Sequence, residues 1–203
     1  MAFARRPALI TSAVKDFCNS ISPNEEPIFL DVIPDVNARI DECFYNVTKK
    51  ISEDGGSLIH GWTIWLWPDV YIEAIFHGIW RSETGQLVDI TPKANGEKRI
   101  LFVPDKVRFY DFETNRRTDN IRRALADDLD IKELLECSRR QASLIERNSV
   151  GLKVRIDPLE LLLIDVQLTK ALERVALKYA KKSDTCFCGS TKKFGRCHGR
   201  NKS

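Results

Sequence analysis

Residues 57–67, "SLIHGWTIWLW", decide the fold, because this run of branched and aromatic side chains has the composition of a β-strand. Three further segments share that composition and are separated by turn formers such as Pro68-Asp69: residues 70–80, 86–91 and 99–103. The pattern predicts an antiparallel sheet. All four tryptophans lie in its first two strands, so we expect the sheet to supply the main core.

Helical patterns flank the predicted sheet. Before it we expect a first helix near residues 8–20, a strand in "PIFLDVIP", and an amphipathic helix over 36–55 with apolar residues every three or four positions. After it, residues 115–148 indicate two helices, and Asp157-Pro158 begins a long one. The buried stripe of the long helix is predicted to contain Leu161, Leu162, Asp165, Leu168, Leu172, Val175 and Tyr179.

The end of the chain carries a dense group of metal-binding side chains in "CFCGSTKKFGRCHGR", residues 186–200. Thiolate and imidazole are the ligands that zinc prefers in closed tetrahedral sites. Four such ligands are present: Cys186, Cys188, Cys197 and His198. Gly189 and Gly195 stand in the two turns around the ion, and glycine is able to take positive φ there. Nearby lysines and an arginine favour the thiolate form.

The spacing Cys-x-Cys-Gly-Ser-x-Lys-Lys-Phe-x-x-Cys-His-Gly resembles the SEC-C motif, a SecA-like zinc tail, over about residues 183–200. Thr191 stands where that family usually has Gly, and Phe194 where it often has Tyr. The resemblance implies a structural Zn²⁺ ion. The alternative is an unstructured basic tail with incidental cysteines.

The ligands fall within thirteen residues and can close a site without help from the rest of the chain. We therefore expect the metal to stabilise chiefly the tail. Chelation should then leave the main thermal transition nearly in place.

The net charge of +3 is unevenly distributed. Residues 180–203 hold seven Lys or Arg against one acid, which leaves 25 of the 32 basic and 28 of the 29 acidic residues elsewhere. A basic tail on a slightly acidic body fits a tail that meets the ribosome, RNA or an acidic protein surface. The alternative is that the lysines only keep the tail in solution and balance its thiolates.

No run of 18 apolar residues exists, so we expect no membrane span. The start, "MAFARRPALITSAVKDF", lacks the long apolar region of a secretory signal and is interpreted as an ordinary first helix rather than a mitochondrial presequence. Six cysteines kept as thiols or metal ligands agree with a cytoplasmic location.

These segments predict an α+β fold, in which a cysteine-bearing helix packs on an antiparallel sheet. A helical segment and a small C-terminal zinc knuckle follow. The predicted boundaries are 1–112 for the α+β core, 113–182 for the helical segment and 183–203 for the knuckle.

A second set of chemically active residues lies in the predicted core. "DECFYN" carries Cys43 on a predicted helix, and "EAIFHGIWRSETGQLVDIT" carries His77 and Asp89 on two strands joined by a turn. Cysteine, histidine and a carboxylate are the ingredients of an acyl-transfer site. In such a site the thiolate attacks a carbonyl, the histidine moves the proton and the aspartate orients the imidazole.

His77 and Asp89 meet only if the turn has the right length. A three-residue loop, Glu83-Thr84-Gly85, with its glycine in the left-handed conformation, pairs Ser82 with Gln86 and places both side chains diagonally on one face. A two-residue loop would put them on opposite faces.

This set resembles the catalytic residues of papain-like and transglutaminase-like enzymes, over roughly residues 35–105. The matching residues are Cys43, His77, Asp89 and Thr91. The tryptophan of the family pattern is displaced to Trp80. The resemblance also implies an oxyanion donor six residues before the cysteine, a position that Asn37 occupies here.

Other features favour a structural interpretation. The apolar periodicity starts at Val36 and would leave Cys43 inside the helix, away from the dipole that lowers a thiol pKa, unless Asp41 is the N-cap. Cys43 could serve as small packing, His77 as a core histidine and Asp89 as a turn cap. We expect structural roles for the remaining candidates: His60, Cys18 and Cys137.

Two functions follow from these patterns. The first is a cysteine-dependent hydrolase or acyltransferase that acts on a protein or peptide amide or ester and is recruited by the zinc tail. The alternative is a non-enzymatic zinc-binding adaptor that docks on ribosome, RNA or protein. A papain-like domain kept only as a scaffold lies between them.

Overall fold

A computed structural model of the chain describes residues 3–116, 118–150 and 153–200. In chain order its elements are α1 (Ser12–Ile21), β1 (Ile28–Asp31), α2 (Cys43–Asp54), β2 (Ser57–Trp67), β3 (Tyr71–Arg81), β4 (Leu87–Val88), β5 (Arg99–Pro104), β6 (Ile121–Ala124), α3 (Leu129–Arg147), β7 (Ser149–Val150), β8 (Lys153–Val154), α4 (Pro158–Tyr179) and a 3₁₀ turn (Phe194–Arg196).

Backbone contacts divide the described residues into two units. Unit 1 comprises Met1–Arg5, Leu66–Ile72 and Phe112–Ser203, and unit 2 comprises Arg6–Trp65 and Glu73–Asp111. The predicted boundaries at 112/113 and 182/183 stay a prediction. Among the described residues, no helix combines the length and the apolar character needed to cross a bilayer.

The sheet of unit 2 has the strand order β1-β5-β2-β3-β4. The β1–β5, β5–β2 and β3–β4 ladders are antiparallel, which confirms the predicted antiparallel sheet. Beyond β4, Asp89 forms a parallel bridge with Val32, the residue that follows β1. The last strand is thereby joined back to the first, so the sheet closes on itself.

Of the two loop lengths considered for the turn between β3 and β4, the structure has the three-residue one. The Ser82 N–H donates to the Gln86 carbonyl over 2.9 Å, and the Gly85 N–H donates to the Ser82 carbonyl over 3.0 Å. Gly85 has a φ of +86°, the left-handed value that glycine adopts without strain. Trp80 pairs with Val88 in the resulting register.

Helix α2 packs on this sheet as predicted, through an apolar cluster. The buried members of the cluster are Val47, Val88 and Ile90, joined by the half-buried Ile51, Leu58 and Trp80. A separate cluster contains Leu30, Val32, Ile79, Ile100 and Phe102. Gly78 permits the close approach of α2, because a Cβ there would lie 2.9 Å from Phe44 Cδ1 and 2.8 Å from Leu58 Cδ1.

The predicted start of this helix at Val36 is wrong, because the helix begins at Cys43. Val36 is 96% exposed, so the apolar periodicity that suggested an earlier start does not mark a buried face. The Asn46 amide accepts a hydrogen bond from the Arg39 N–H at 2.9 Å and donates to the Arg39 carbonyl at 2.8 Å. The Arg39 N–H is therefore unavailable for a helical bond, and Glu42 is the N-cap in place of Asp41.

One of the two helices predicted over 115–148 is wrong. In its place the chain forms the strand β6, which pairs with β3, and the first two residues of β3 belong to unit 1. The second predicted helix is present as α3. Helix α3 packs against α4, with Arg174 Nε 2.9 Å from Asp130 Oδ1.

The predicted buried stripe of α4 is partly wrong. Leu162, placed in that stripe, is 57% exposed. The buried residues of this helix are Ile164, Ala171, Val175 and Ala176. The run "LELLL" is apolar on several faces of a helix, so its sequence does not distinguish the face that is covered.

Candidate thiol site and metal centre

Cys43 is the first residue of α2 and is buried. The first backbone N–H groups of a helix have no intrahelical partners and carry the positive end of the helix dipole. A thiolate at this place is stabilised, whereas the mid-helix place expected from the apolar pattern would give no such effect.

His77 of β3 and Asp89, which follows β4, form a buried pair. His77 Nε2 lies 3.0 Å from Asp89 Oδ2, and the Asp89 side chain has no exposed surface. The register of the hairpin brings the two residues diagonally together, as the three-residue loop predicted.

Backbone contacts hold Asp89 in place. Its N–H donates to the Asp31 carbonyl over 3.1 Å, and its carbonyl accepts from the Ile33 N–H over 2.9 Å. Its Oδ1 accepts from the Thr91 N–H over 3.0 Å. The carboxylate is thus oriented from the strand that closes the sheet, and Oδ2 remains for His77.

Lys93 is a member of this site that sequence reasoning missed. Its Nζ lies 2.5 Å from Asp89 Oδ2 and 3.1 Å from His77 Nε2, and its side chain is only 12% exposed. The sequence contains 32 Lys and Arg residues, and only the spacing of four residues from Asp89 could have indicated that Lys93 belongs to the site.

These groups shift one another's proton affinity. Burial opposes the imidazolium of His77, but the charges of Asp89 and Cys43 outweigh it and raise the pKa of His77 to about 9. Burial also opposes the Cys43 thiolate. The charge and hydrogen bond of His77, together with the Gly78 N–H, outweigh that effect and lower the pKa of Cys43.

The charged form of Asp89 is favoured as well. Burial alone would raise the pKa of its carboxyl, yet the charges and hydrogen bonds of His77 and Lys93 lower it to about 2. At neutral pH the arrangement therefore favours a thiolate, an imidazolium, a carboxylate and an ammonium. Such an ion pair between cysteine and histidine is the reactive form of a cysteine nucleophile.

Asn37 is exposed in the loop before α2, and its backbone N–H hydrogen-bonds the Asp35 carboxylate. Within the described residues it makes no hydrogen bond to Cys43, so its oxyanion role stays a prediction. Asn46, which the sequence did not single out, is buried and donates to Thr91 Oγ1 over 3.1 Å. Its amide connects the loop before α2 to the segment that carries Asp89 and Lys93.

Three other candidates have surroundings typical of structural residues. His60 stacks on Phe44 with ring centroids 5.7 Å apart, and burial lowers its pKa. Burial raises the pKa of Cys18 to about 11 and also raises that of Cys137. A raised thiol pKa leaves little reactive thiolate at neutral pH.

The four predicted metal ligands of unit 1 converge, and their ligand atoms all lie within 4.8 Å of one another: Cys186, Cys188, Cys197 and His198. The Cys188 sulfur lies 3.6 Å from the Cys186 sulfur and 3.6 Å from the Cys197 sulfur. Sulfurs bound tetrahedrally to zinc at about 2.3 Å stand roughly 3.8 Å apart. The donor set and its spacing therefore fit a tetrahedral metal ion.

The backbone of the tail folds around these ligands. The Cys186 N–H donates to the Lys192 carbonyl, and a bridge pairs Thr185 with Lys193. Hydrogen bonds from the Ser190 hydroxyl and N–H lower the pKa of Cys188 to about 6, which favours the thiolate that a metal requires.

The two glycines of the tail have different roles. Gly189 uses the freedom of glycine to take a positive φ, +76°. Gly195 does not have a positive φ. Glycine is required there by close approach instead, because a Cβ would lie 2.7 Å from Lys182 Cβ. Positive φ falls on Thr191, at +59°, which occupies the place where a glycine was expected from the resemblance.

The tail packs against other parts of unit 1 through aromatic rings. Phe194 is fully buried and meets Phe3 edge-on, with ring centroids 5.9 Å apart. Phe3 in turn packs on Trp67 at 4.5 Å, and Phe187 lies 4.7 Å from the His198 ring. The knuckle is therefore part of a core, which the sequence did not indicate.

Residues 183–200 match a known family, described as the SEC-C motif. No curated protein matches the chain, and no solved structure matches it. The chain therefore carries a SEC-C motif whose Cys₃His cluster is suited to bind a metal ion. The comparisons do not support the expected resemblance to papain-like and transglutaminase-like enzymes, since the family match covers residues 183–200 only.

We predict that removing the metal with a zinc chelator lowers the thermal midpoint of unit 1, because the folded tail holds Phe194 and Phe187 in place. Structural zinc contributes on the order of 10 kcal/mol of apparent binding free energy in small motifs. Calorimetry with tryptophan fluorescence would measure the change, and metal analysis should find one zinc per chain. Cys188→Ser should lower the midpoint similarly. An unchanged main transition would restore the expectation of a free-standing tail.

Thr191→Gly should stabilise the metal-loaded tail by about 0.5–1 kcal/mol. The substitution removes the steric cost of a β-branched residue in the left-handed conformation, and this gain is partly offset because glycine loses more chain entropy on folding. Competition for zinc with a chelator of known affinity would report the gain. Thr185→Gly, in the extended bridge, is the matched control and should weaken zinc binding. Equal effects of the two substitutions would contradict the strain at Thr191.

Proposed function

We propose that the protein is a cysteine-dependent hydrolase or acyltransferase acting on a protein or peptide amide or ester, with a zinc-binding tail. The supporting observation is the buried set formed by Cys43 at a helix N-terminus, His77 and Asp89. Structural cysteines and histidines do not need a lowered thiol pKa together with a raised imidazole pKa, whereas a nucleophile and its proton carrier do.

The first half of the reaction forms a thioester. The Cys43 thiolate attacks the substrate carbonyl carbon, a C–S bond forms, and the carbonyl π electrons move to oxygen. When the intermediate collapses, the bond to the leaving nitrogen or oxygen breaks and His77 gives its proton to that atom. The first backbone N–H groups of α2, together with the predicted donor Asn37, are suited to stabilise the transient oxyanion.

The second half releases the acyl group. Water, or an acceptor amine or alcohol, attacks the thioester carbon while His77 takes its proton. The C–S bond then breaks, which regenerates the thiolate and leaves His77 protonated. Asp89 remains ionised throughout and orients the ring.

Charges on His77 and Cys43 set the pH range of this chemistry. The pKa of Cys43 is lowered, so the thiolate forms below the pH at which an ordinary thiol ionises. The pKa of His77 is raised to about 9, so the imidazolium persists up to that pH and is lost above it. Thioester formation should therefore be lost in acid as the thiolate protonates, and lost in alkali as His77 loses its proton.

Alkylation by iodoacetamide, followed by mass spectrometry of each cysteine, tests this proposal. The small reagent suits a thiol that is only 7% exposed. Cys43 should react rapidly at pH 7, and His77→Gln should move the midpoint of its reactivity to higher pH. Acylation by p-nitrophenyl acetate should place an acetyl group on Cys43 and be slowed roughly 10²–10⁴-fold in His77→Gln.

Cys18 is the internal control, because burial raises the pKa of its thiol. The Cys43→Ala variant should lose both labels while retaining its thermal transition. A Cys43 that reacts no faster than Cys18 would overturn the enzyme proposal, and so would acetylation confined to other cysteines.

The tail supports a second candidate function, docking on an anionic partner such as RNA or the ribosome. Lys192, Arg196 and Arg200 line a shallow cavity beside Cys197 and His198. Basic side chains arranged on a metal-stabilised surface can contact successive phosphates. The adaptor function needs no chemistry at Cys43.

If the tail binds RNA, the affinity should fall steeply with salt, and replacing Lys192, Arg196 and Arg200 together by Gln should reduce the slope of log K against log salt by about two. Filter binding to a single-stranded RNA across a salt series would measure it. Lys49→Gln, on α2 and outside the tail, is the control and should change nothing. Absent or salt-independent binding would exclude RNA.

A further inference from the structure

Asp89 is the most enclosed charge of the thiol site. It has no exposed surface, and one oxygen, Oδ2, receives both His77 Nε2 at 3.0 Å and Lys93 Nζ at 2.5 Å. A buried carboxylate is stable only with close cationic or hydrogen-bonding partners. Besides the Thr91 N–H on Oδ1, it has two partners that can carry a positive charge, of which only His77 changes charge during the proposed reaction.

Counting charges through the proposed reaction shows what Lys93 contributes. When Cys43 is a thiol and His77 is neutral, the charges of Asp89 and Lys93 cancel. When Cys43 is a thiolate and His77 an imidazolium, the charges of all four groups sum to zero. In the thioester state, after His77 has given away its proton, no thiolate and no imidazolium remain. Without Lys93, Asp89 would then be a buried anion beside a neutral ring, which is costly.

We propose that Lys93 is a positioning residue of the Cys43 site, which keeps Asp89 ionised and correctly placed whether or not His77 carries a proton. This inference rests on the proposed function. Because Asp89 need not accept a proton, Nε2 of His77 keeps its own hydrogen and donates it to Oδ2. The other ring nitrogen, Nδ1, is left to exchange a proton with the sulfur and the leaving group.

The same ammonium tunes the acid strength of the site. The groups that face His77 are Cys43 from α2, and Asp89 and Lys93 from the segment after β4. Asp89 and Cys43 favour the imidazolium, and Lys93 disfavours it. Lys93 also favours the Cys43 thiolate. Its positive charge therefore lowers the pKa of both groups and keeps His77 able to release its proton.

The test is the pair Lys93→Gln and Lys93→Arg. Glutamine can still donate a hydrogen bond to Asp89 but carries no charge, so we expect the NMR titration midpoint of the His77 ring to rise by about one pH unit or more. The pH profile of Cys43 alkylation should move upward with it. Arginine keeps the charge and should restore both midpoints. With only three histidines in the chain, the His77 signal can be assigned by comparison with His77→Gln.

Lys50→Gln is the matched control. Lys50 also belongs to unit 2, and its side chain is 20% exposed and paired with Asp35 and Asp54. It should leave both midpoints at their wild-type values. If Lys93→Gln also leaves them there, or if Lys93→Arg does not restore them, the positioning role is overturned.

If Lys93→Gln fails to fold, the comparison is made in the Asp89→Asn background instead. That background has no buried carboxylate at position 89 that would lose its charged partner. Adding Lys93→Gln to Asp89→Asn should still raise the His77 midpoint, and an unchanged midpoint would overturn the proposal.

The outcomes separate this inference from the proposed function. A Cys43 with ordinary thiol reactivity, together with a shifted His77 midpoint in Lys93→Gln, would overturn the enzyme proposal and uphold the electrostatic role of Lys93. A highly reactive Cys43 whose pH profile of alkylation is unchanged in Lys93→Gln would uphold the enzyme proposal and overturn the role of Lys93.

Discussion

The buried carboxylate of Asp89 is the group around which unit 2 is organised. Its backbone N–H and carbonyl bond to residues 31 and 33 and help to close the sheet, while its side chain holds Thr91, His77 and Lys93. A charge with no exposed surface tolerates little displacement, because every lost partner leaves part of it unpaired. The same contacts that stabilise the fold therefore also orient the imidazole.

The thiol site combines three separate stabilisations of negative charge on sulfur. Cys43 begins α2, Gly78 offers a backbone N–H, and the His77 ring is held by Asp89 at the distance of a hydrogen bond. Each effect is modest alone, and burial opposes all of them. Their sum favours a thiolate, and this supports the chemical role that we propose for the set.

The metal centre illustrates a different relation between motif and fold. The SEC-C match covers residues 183–200, and the four ligands converge within that segment. Phe194, however, is buried against Phe3, and Phe3 packs on Trp67. The tail thus packs against residues that are far away in the sequence and belongs to unit 1 by contact.

The sequence by itself determined features that depend on local spacing: the antiparallel sheet and the four Cys and His side chains that can bind a metal. It left the β3–β4 turn open between two and three residues, and the structure decided that length. The tertiary structure alone decided features that depend on distant contacts. Asn46 binds the backbone of Arg39 and delays the start of α2, Lys93 folds back onto Asp89, and Phe3 meets Phe194. Periodicity and turn chemistry act between near neighbours, whereas burial and pairing across the fold are properties of the assembled chain.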